Sequence, residues 1–371
     1  MSPFFSQGVI VVITAVFGAM VGSFLNVCIY RLPLGLSVGN PVRSFCPGCE
    51  RTIPWYQNIP VLSWLLLGGR CGGCRNKISP RYLVVEILTA LLFAGVAARF
   101  VGSTPLLIVP GVCFVSLLVV ATFVDLEHLI IPDEVTWGGV GAGIVFAFLL
   151  PELHATGSRF EALGWAALGA SVGYGTLWLV AEGGRLVFGK SRFAFDPPVE
   201  AVWTRTGESA ELVVDGEVLD WSGLFPRGTE VVEMDFTDGD LDGTRFEAVR
   251  GIWSFESLEM AGRLVDLNAA SRLACRLRSL VLPREVMGYG DVKLLAAIGA
   301  FNGWKAVFFT LMAGSCAGAA FGLAALLVGR RAWSAKIPFG PYLAFGALLW
   351  LAVGEELWRM YWAVLSRAGA V

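Results

Sequence analysis

Charge is what this sequence has least of. Only 16% of its 371 residues are Asp, Glu, Lys or Arg, against roughly 25% in a soluble globular chain, and the shortage excludes an ordinary water-soluble enzyme. It also lacks a basic stretch ahead of its first apolar run and a small-residue cleavage site behind it. That run, at about 9–29, is therefore read as a retained span and not as a secretory signal. Internal repeats and low-complexity tracts are absent. No dinucleotide-type glycine fingerprint follows a soluble strand, because the glycine-rich runs lie within apolar segments. Nothing points to a nucleic-acid partner.

What is abundant is apolar: 56% of residues are hydrophobic and the mean hydropathy is +0.67. About 20 apolar residues cross the roughly 30 Å hydrocarbon layer as a helix. Candidate spans fall at 8–30, 82–100, 105–124, 135–151, 160–182, a short one near 290–301, 304–329 and 339–364. They predict an all-α polytopic membrane protein with about eight transmembrane helices. Segment 31–81 carries Arg31, Arg43, Arg51, Arg70, Arg75, Lys77 and Arg81 against the single acid Glu50. The positive-inside rule places it in the cytoplasm and the N-terminus outside. Alternate counting then puts Arg330, Arg331 and Lys336 inside as well, provided that 290–301 crosses.

Between 184 and 285 the pattern changes to β-branched, alternating stretches such as Glu211-Leu-Val-Val-Asp, with turn signals at Asp215-Gly, Asp238-Gly and Asp242-Gly. This reads as a β-rich soluble insert, and a helix over about 257–282 is expected to lead back to the membrane. The organisation is thus a first helix (1–30), a cytoplasmic loop (31–81), helices two to five (82–183), the insert (184–285) and helices six to eight (286–371).

Eight cysteines are present. Cys28, Cys113, Cys275 and Cys316 stand alone in apolar or helical surroundings and read as packing residues. Cys46-Pro-Gly-Cys49 and Cys71-Gly-Gly-Cys74 form two knuckles about twenty residues apart, the spacing of a tetrahedral four-cysteine zinc site. With all four positions filled by thiolates the zinc is structural, and it supplies folding free energy to a loop with little apolar core.

Two carboxylates sit at the edges of apolar runs: Asp125 in Val124-Asp-Leu-Glu-His-Leu-Ile-Ile-Pro132-Asp133, and Asp291 in Met287-Gly-Tyr-Gly290-Asp291-Val-Lys293. Ionisable groups at such depth are costly and mark function by default. A carboxyl pair that shares one proton can activate water with one member and polarise a peptide carbonyl with the other. Gly288 and Gly290 would let a substrate backbone approach; the alternative is a glycine-rich helix start with Asp291 as N-cap. Glu127, His128, Asp133 and Glu134 read as a solvated loop. Lys293 could lower a carboxylate pKa or meet a lipid phosphate.

Gly288-Tyr-Gly290-Asp291 resembles the GxGD motif of intramembrane aspartyl proteases. Asp125-Leu-Glu…Ile-Pro132-Asp133 resembles the first-aspartate motif of type IV prepilin peptidases. Gly22-Ser-Phe-Leu-Asn26-Val-Cys-Ile-Tyr-Arg31-Leu-Pro33 matches the amino-terminal signature of that family. Trp55, Tyr56, Asn58, Pro60, Ser63, Trp64 and Ser79-Pro-Arg81-Tyr82…Glu86 fit its cytoplasmic loop. The resemblance implies an enzyme of the bacterial inner membrane whose catalytic pair is Asp125 and Asp291. It would trim the basic leader of pilin or pseudopilin precursors at the cytoplasmic face. Bifunctional members then methylate the new amino terminus from S-adenosylmethionine. The resemblance does not place the methyl-donor site; Glu86 could hold its cationic group, or pair with Arg81 or Arg31. Asn26 could bond between helices or contact substrate or methyl donor. The insert departs from the compact family pattern, and its acids could recruit a basic leader or dock on pilus or secretion assembly proteins. A transporter that relays protons through the two aspartates is the rival from another class, but it needs no four-cysteine loop beside a GxGD motif.

Overall fold

The computed structural model describes residues 3–41, 44–46, 48–188, 190–206, 209–225, 231–260, 262–283, 287–328 and 338–368. Arg330, Arg331 and Lys336, expected inside, lie outside the described residues, as does Arg43. The chain divides into two compact units, Met1–Leu179 with Gly288–Val371, and Val180–Met287.

The first unit is helical. Helix α1 (Pro3–Arg31) is followed by the cysteine loop, which holds the short α2 (Leu62–Leu66). Then come α3 (Pro80–Phe100), α4 (Ile108–His128), α5 (Asp133–Leu149), α6 (Arg159–Phe188), α8 (Tyr289–Leu327), α9 (Gly340–Leu349) and α10 (Glu355–Ala368); α7 lies in the second unit. Among the described residues, five helical stretches are long and apolar enough to cross a membrane: Gln7–Leu34, Pro80–Phe100, Pro105–His128, Arg159–Val187 and Tyr289–Leu327. Helix α1 packs closely on α3 because glycine makes room for it. A Cβ at Gly18 would come within 2.8 Å of Phe93, and one at Gly22 within 2.9 Å of the Glu86 backbone.

Helix α8 joins two of the expected segments, and Gly303 is the joint. Its φ of 77° and ψ of 173° are open to glycine and strained for other residues. A straight helix would separate Gly290 from Gly318 by about 42 Å. Yet Gly290 and Gly340 both abut Ile131, and Gly318 abuts Tyr342, two residues beyond Gly340. The chain therefore turns back at Gly303. The half before the turn is almost wholly buried, from Val292 to Phe301. His154, in the loop after α5, covers the turn: its Nε2 bonds the Ala300 carbonyl at 3.1 Å.

The expected span 339–364 divides in a different way. After α9 the helix widens to a π turn at Trp350–Gly354 and continues as α10, which opens with Glu355 and Glu356. Trp350 meets Trp358 edge to face and Trp358 meets Trp362 at a tilt, and Trp304, just past the Gly303 turn, meets Trp358 at 6.3 Å.

The second unit is a single antiparallel sheet in the order β3-β2-β1-β8-β4-β5-β6-β7. Its strands are β1 (Lys190–Thr206), β2 (Ser209–Val214), β3 (Glu217–Asp220), β4 (Val232–Leu241), β5 (Thr244–Trp253), β6 (Ser257–Met260), β7 (Arg263–Asp266) and β8 (Arg272–Pro283), with the one-turn helix α7 (Trp221–Leu224). Val232, Met234 and Phe236 point inward from β4 while Glu233 and Asp235 point out, the period-two pattern of a half-buried strand. Trp203, Trp221 and Trp253 meet edge to face at 5.1–6.2 Å in its core.

Two expectations are corrected here. The helix expected over 257–282 is instead β6, β7 and β8: Leu273, Cys275 and Leu277 are buried while Arg272, Arg276 and Arg278 face out, an alternation no helix can make. Asp238-Gly239 is no turn. It lies inside β4 just past a bulge at Thr237, and a Cβ on Gly239 would lie 2.3 Å from the Phe246 ring. Asp215-Gly216 and Asp242-Gly243 are turns, with both residues of each pair at positive φ.

Candidate active site

Asp125 lies in the last turn of α4. That helix stops at Leu129, whose φ of 56° is left-handed and whose amide bonds the Asp125 carbonyl at 3.0 Å. Three residues later Pro132 opens α5, with Asp133 and Glu134 in its first turn, where the helix dipole favours acids. Asp291 occupies the first turn of α8, behind Gly288 as the N-cap residue, and its own amide bonds the Gly288 carbonyl at 3.2 Å.

A third helix end completes the arrangement. The free amide of Gly340, at the start of α9, donates to Asp125 Oδ2 at 2.8 Å. An unpaired helix-start amide aimed at a carboxylate contributes about 1.5–3 kcal/mol. Ile131 is the shared spacer, touching Gly290 on one side and Gly340 on the other. Asp125 and Asp291 are 5% and 9% exposed, and the two carboxyls are near enough to interact electrostatically. Asp291 Oδ1 is buried with no hydrogen-bond partner among the described residues. A partnerless buried acceptor beside a second carboxyl is a place for a water or a substrate group.

The expected site residues separate in their surroundings. A Cβ at Gly290 would come within 2.9 Å of Ile131, so this glycine lets two chain segments touch. Gly288 has only the Asp291 carboxyl near it, 3.5 Å from an added Cβ. Lys293 pairs with Asp133 at 2.5 Å, tying the first turns of α5 and α8. Glu127 pairs with Arg81 at the start of α3. His128 and Glu134 are exposed. Gly340 is the site residue that sequence reasoning missed. Its contact is made by a backbone amide, which the residue type does not reveal.

The four loop cysteines converge. Their Sγ atoms all lie within 4.8 Å of one another, with Cys46 and Cys74 3.7 Å apart, a group able to hold a metal ion. The two knuckles repeat one backbone design. The Cys46 amide bonds the Arg51 carbonyl, and the Cys71 amide bonds the Asn76 carbonyl, at 3.0 and 2.9 Å. Glu50 and Arg75, each directly after the second cysteine, are left-handed at φ 55° and 62° and return a bond to the first. The amides of Cys74 and Gly73 are aimed at the Cys71 sulfur and lower the pKa of its thiol, while the neighbouring sulfurs raise that of Cys74, so the four thiols titrate together.

Residues 16–100 match the family model described as the bacterial peptidase A24 N-terminal domain, and 112–196 with 252–323 match that of the type IV leader peptidase family. The chain belongs to the type IV leader peptidase family. It is 30% identical to the prepilin leader peptidase/N-methyltransferase of Aeromonas hydrophila over 93% of this chain and 91% of that one. A protein of the same description from Pseudomonas putida is 28% identical over 94% of this chain and 92% of its own. The one from Myxococcus xanthus reaches 47% identity over 43% of this chain and 44% of its own. No solved structure matches the chain at a significant level. With its family and its five long apolar helices, this leader peptidase is a multi-pass membrane protein.

In the amino-terminal signature of the peptidase, Asn26 Nδ2 bonds the Tyr82 carbonyl at 3.1 Å, the interhelical hydrogen bond that is one of the two roles open to it. Glu86 pairs with neither Arg81 nor Arg31; it accepts the Val61 amide at 2.7 Å and meets the Ser23 hydroxyl. Of the isolated cysteines, Cys28 and Cys275 are buried, Cys113 is half-buried and Cys316 is exposed.

Proposed function

We propose that this peptidase removes the basic leader from type IV pilin-like precursors at the cytoplasmic face of the bacterial inner membrane and then N-methylates the new terminus, with Asp125 and Asp291 as its catalytic pair. The observation that carries the reading is the closeness of the two carboxyls: Asp125 accepts from the Gly340 amide, Asp291 is near enough to interact with it electrostatically, and Gly290 and Gly340 both abut Ile131. Water adds to the scissile carbonyl as one carboxylate takes its proton and the other carboxyl gives its proton to the carbonyl oxygen. The tetrahedral carbon then collapses, the C–N bond breaks, and the leaving amine takes up a proton. The pair titrates as a unit. The Gly340 amide fixes Asp125, and Asp291 Oδ1, buried and without a partner among the described residues, is the acceptor that water or the carbonyl's proton would meet. Gly288, uncrowded, is the place for the substrate backbone, and Gly290 sets the distance between the two aspartate-bearing segments.

When bound, S-adenosylmethionine supplies an electrophilic methyl to the new amine, the C–S bond breaking with its electron pair kept by sulfur and the amine proton passing to water. Zinc fits the four cysteines: tetrahedral Zn–S bonds of about 2.3 Å set sulfurs about 3.8 Å apart, and Cys46 and Cys74 stand at 3.7 Å. With four thiolates it is structural. Counting α8 as two crossings and including α5 and α9 gives eight transmembrane helices, an outer N-terminus and an inner four-cysteine loop. The boundaries 1–30, 31–81, 82–183, 184–285 and 286–371 follow, with the β insert in the cytoplasm. There its acids could meet the basic leader or an assembly protein.

The test is the intact mass of a pilin precursor co-reconstituted with enzyme and S-adenosylmethionine, for wild type, Asp125→Asn and Asp291→Asn. Loss of the leader and gain of one methyl in wild type, with neither in the variants, is the expected result. Cleavage that survives in both variants returns the carboxyls to a structural or transport role.

A further inference from the structure

Near the cysteine loop, the Arg31 end of α1 walls a cavity of about 310 Å³ that peptide cleavage does not use. Phe24, Val27 and Arg31 line it from the helix, and Pro41, Asn58 and Pro60 from the loop. Arg31 is only 5% exposed, so its charge needs partners. It has three, the carbonyls of Ser37, Val38 and Pro41 at 3.0–3.1 Å, and all three are bonded to one nitrogen, Nη1. Among the described residues, Nε and Nη2 have no partner and no carboxylate pairs with the guanidinium. Half of the fork is therefore unspent at the wall of a cavity.

We propose that this cavity holds the amino-acid end of S-adenosylmethionine, with Arg31 taking its α-carboxylate; the proposal rests on the methyl-transfer half of the reading above. A planar fork with two free donors is matched to a carboxylate. The same charge rejects the other reactant. A newly cut pilin terminus is an ammonium group with no carboxylate beside it, and a buried guanidinium repels it. The volume is at the low end of small-molecule sites and suits the methionine portion, with Phe24, Val27 and the two prolines against its carbons. The larger concavity on the insert, about 560 Å³, presents Glu256 and Asp266 and offers a carboxylate no cation. The cavity is also tied to the cleavage site. Asn26, on the same helix, bonds the Tyr82 carbonyl, and Arg81 beside it pairs with Glu127, two residues past Asp125.

The test is equilibrium binding to the full chain in lipid nanodiscs. S-adenosylhomocysteine carries the carboxylate, and 5′-methylthioadenosine lacks the amino-acid end. Arg31→Gln is expected to weaken the first at least ~10-fold and leave the second unchanged, the loss of a charge-assisted contact. Val27→Trp fills the cavity without touching Arg31; it is expected to weaken S-adenosylhomocysteine by a similar factor, and it carries the test if Arg31→Gln does not fold. Wild-type affinity for S-adenosylhomocysteine in both variants, while wild type methylates cleaved pilin, overturns the cavity assignment alone. A wild type that cleaves but neither binds S-adenosylhomocysteine nor transfers methyl overturns the methyl-transfer reading and the cavity with it.

Discussion

At the scale of single residues, the two glycines of the Gly-Tyr-Gly-Asp segment should respond differently to the same change. Gly290→Ala forces a methyl to within 2.9 Å of Ile131 Cβ, and the movement that relieves it separates the segments bearing Asp125 and Asp291. A displacement of about 1 Å in a catalytic array costs on the order of 100-fold in rate. Gly288→Ala meets only the Asp291 carboxyl at 3.5 Å within the chain, from a backbone any residue can adopt (φ −66°, ψ 136°), so its methyl should meet the substrate backbone, raising KM while turnover at saturation stays within a few-fold. Turnover of a pilin precursor at saturating substrate checks both; equal losses would mean that Gly290 acts on substrate and not on Ile131. Both aspartates could be read from sequence because a carboxylate at the edge of an apolar run has few other reasons to be there. Gly340 could not. Its contribution is a backbone amide, and a donor that every residue but proline possesses leaves no mark in the residue type.

At the scale of elements, the turn at Gly303 and the cysteine knuckles make the clearest predictions. Gly303→Ala places a Cβ where there is room, the nearest atom being His154 Nδ1 at 3.8 Å, but on a backbone of φ 77°. The cost is conformational, about 1–3 kcal/mol, and should appear as a lower midpoint in detergent melting. Burial of His154 beside that turn holds its imidazole below the usual 6.5. The folded chain therefore keeps it neutral while the unfolded chain protonates it. The stability it contributes is complete above pH 6.5 and is lost as pH falls below that value. The melting midpoint should drop between pH 7 and 5.5 more in wild type than in His154→Asn. For the knuckles, chelation or Cys46→Ser should release one zinc per chain by elemental analysis and expose 44–78 to protease. Retained metal after Cys46→Ser would exclude a four-cysteine shell. Most helices were legible because length and apolarity suffice to define a crossing. The stretch 257–282 forms strands where a helix is expected because Leu273, Cys275 and Leu277 alternate with outward residues, a period of two that its mean apolarity hides. Asp238-Gly239 carries a turn dipeptide yet stays in a strand, because its glycine makes room for a ring in the neighbouring strand.

At the scale of the whole molecule, the insert is arranged to be removable. Its first and last strands are paired, Lys190 against Pro283, so the chain leaves and returns at adjacent points. Most of the sequence between the two matched parts of the family model, 197–251, lies in this sheet. Replacing 191–282 with a short Gly-Ser linker should leave leader cleavage within a few-fold of wild type in the mass assay, and its loss would give the insert a part in substrate capture. The helical unit has no such freedom at its centre. Asp291 is on a half-helix buried almost end to end, whereas α1 turns Val12, Ile13, Val16, Phe17 and Met20 outward. Random substitution would then be absorbed unevenly. Lineages can exchange one apolar residue for another along α1 at little cost, while changes between Val292 and Phe301 meet neighbours on every side, so divergence within this enzyme should accumulate from the outside inward.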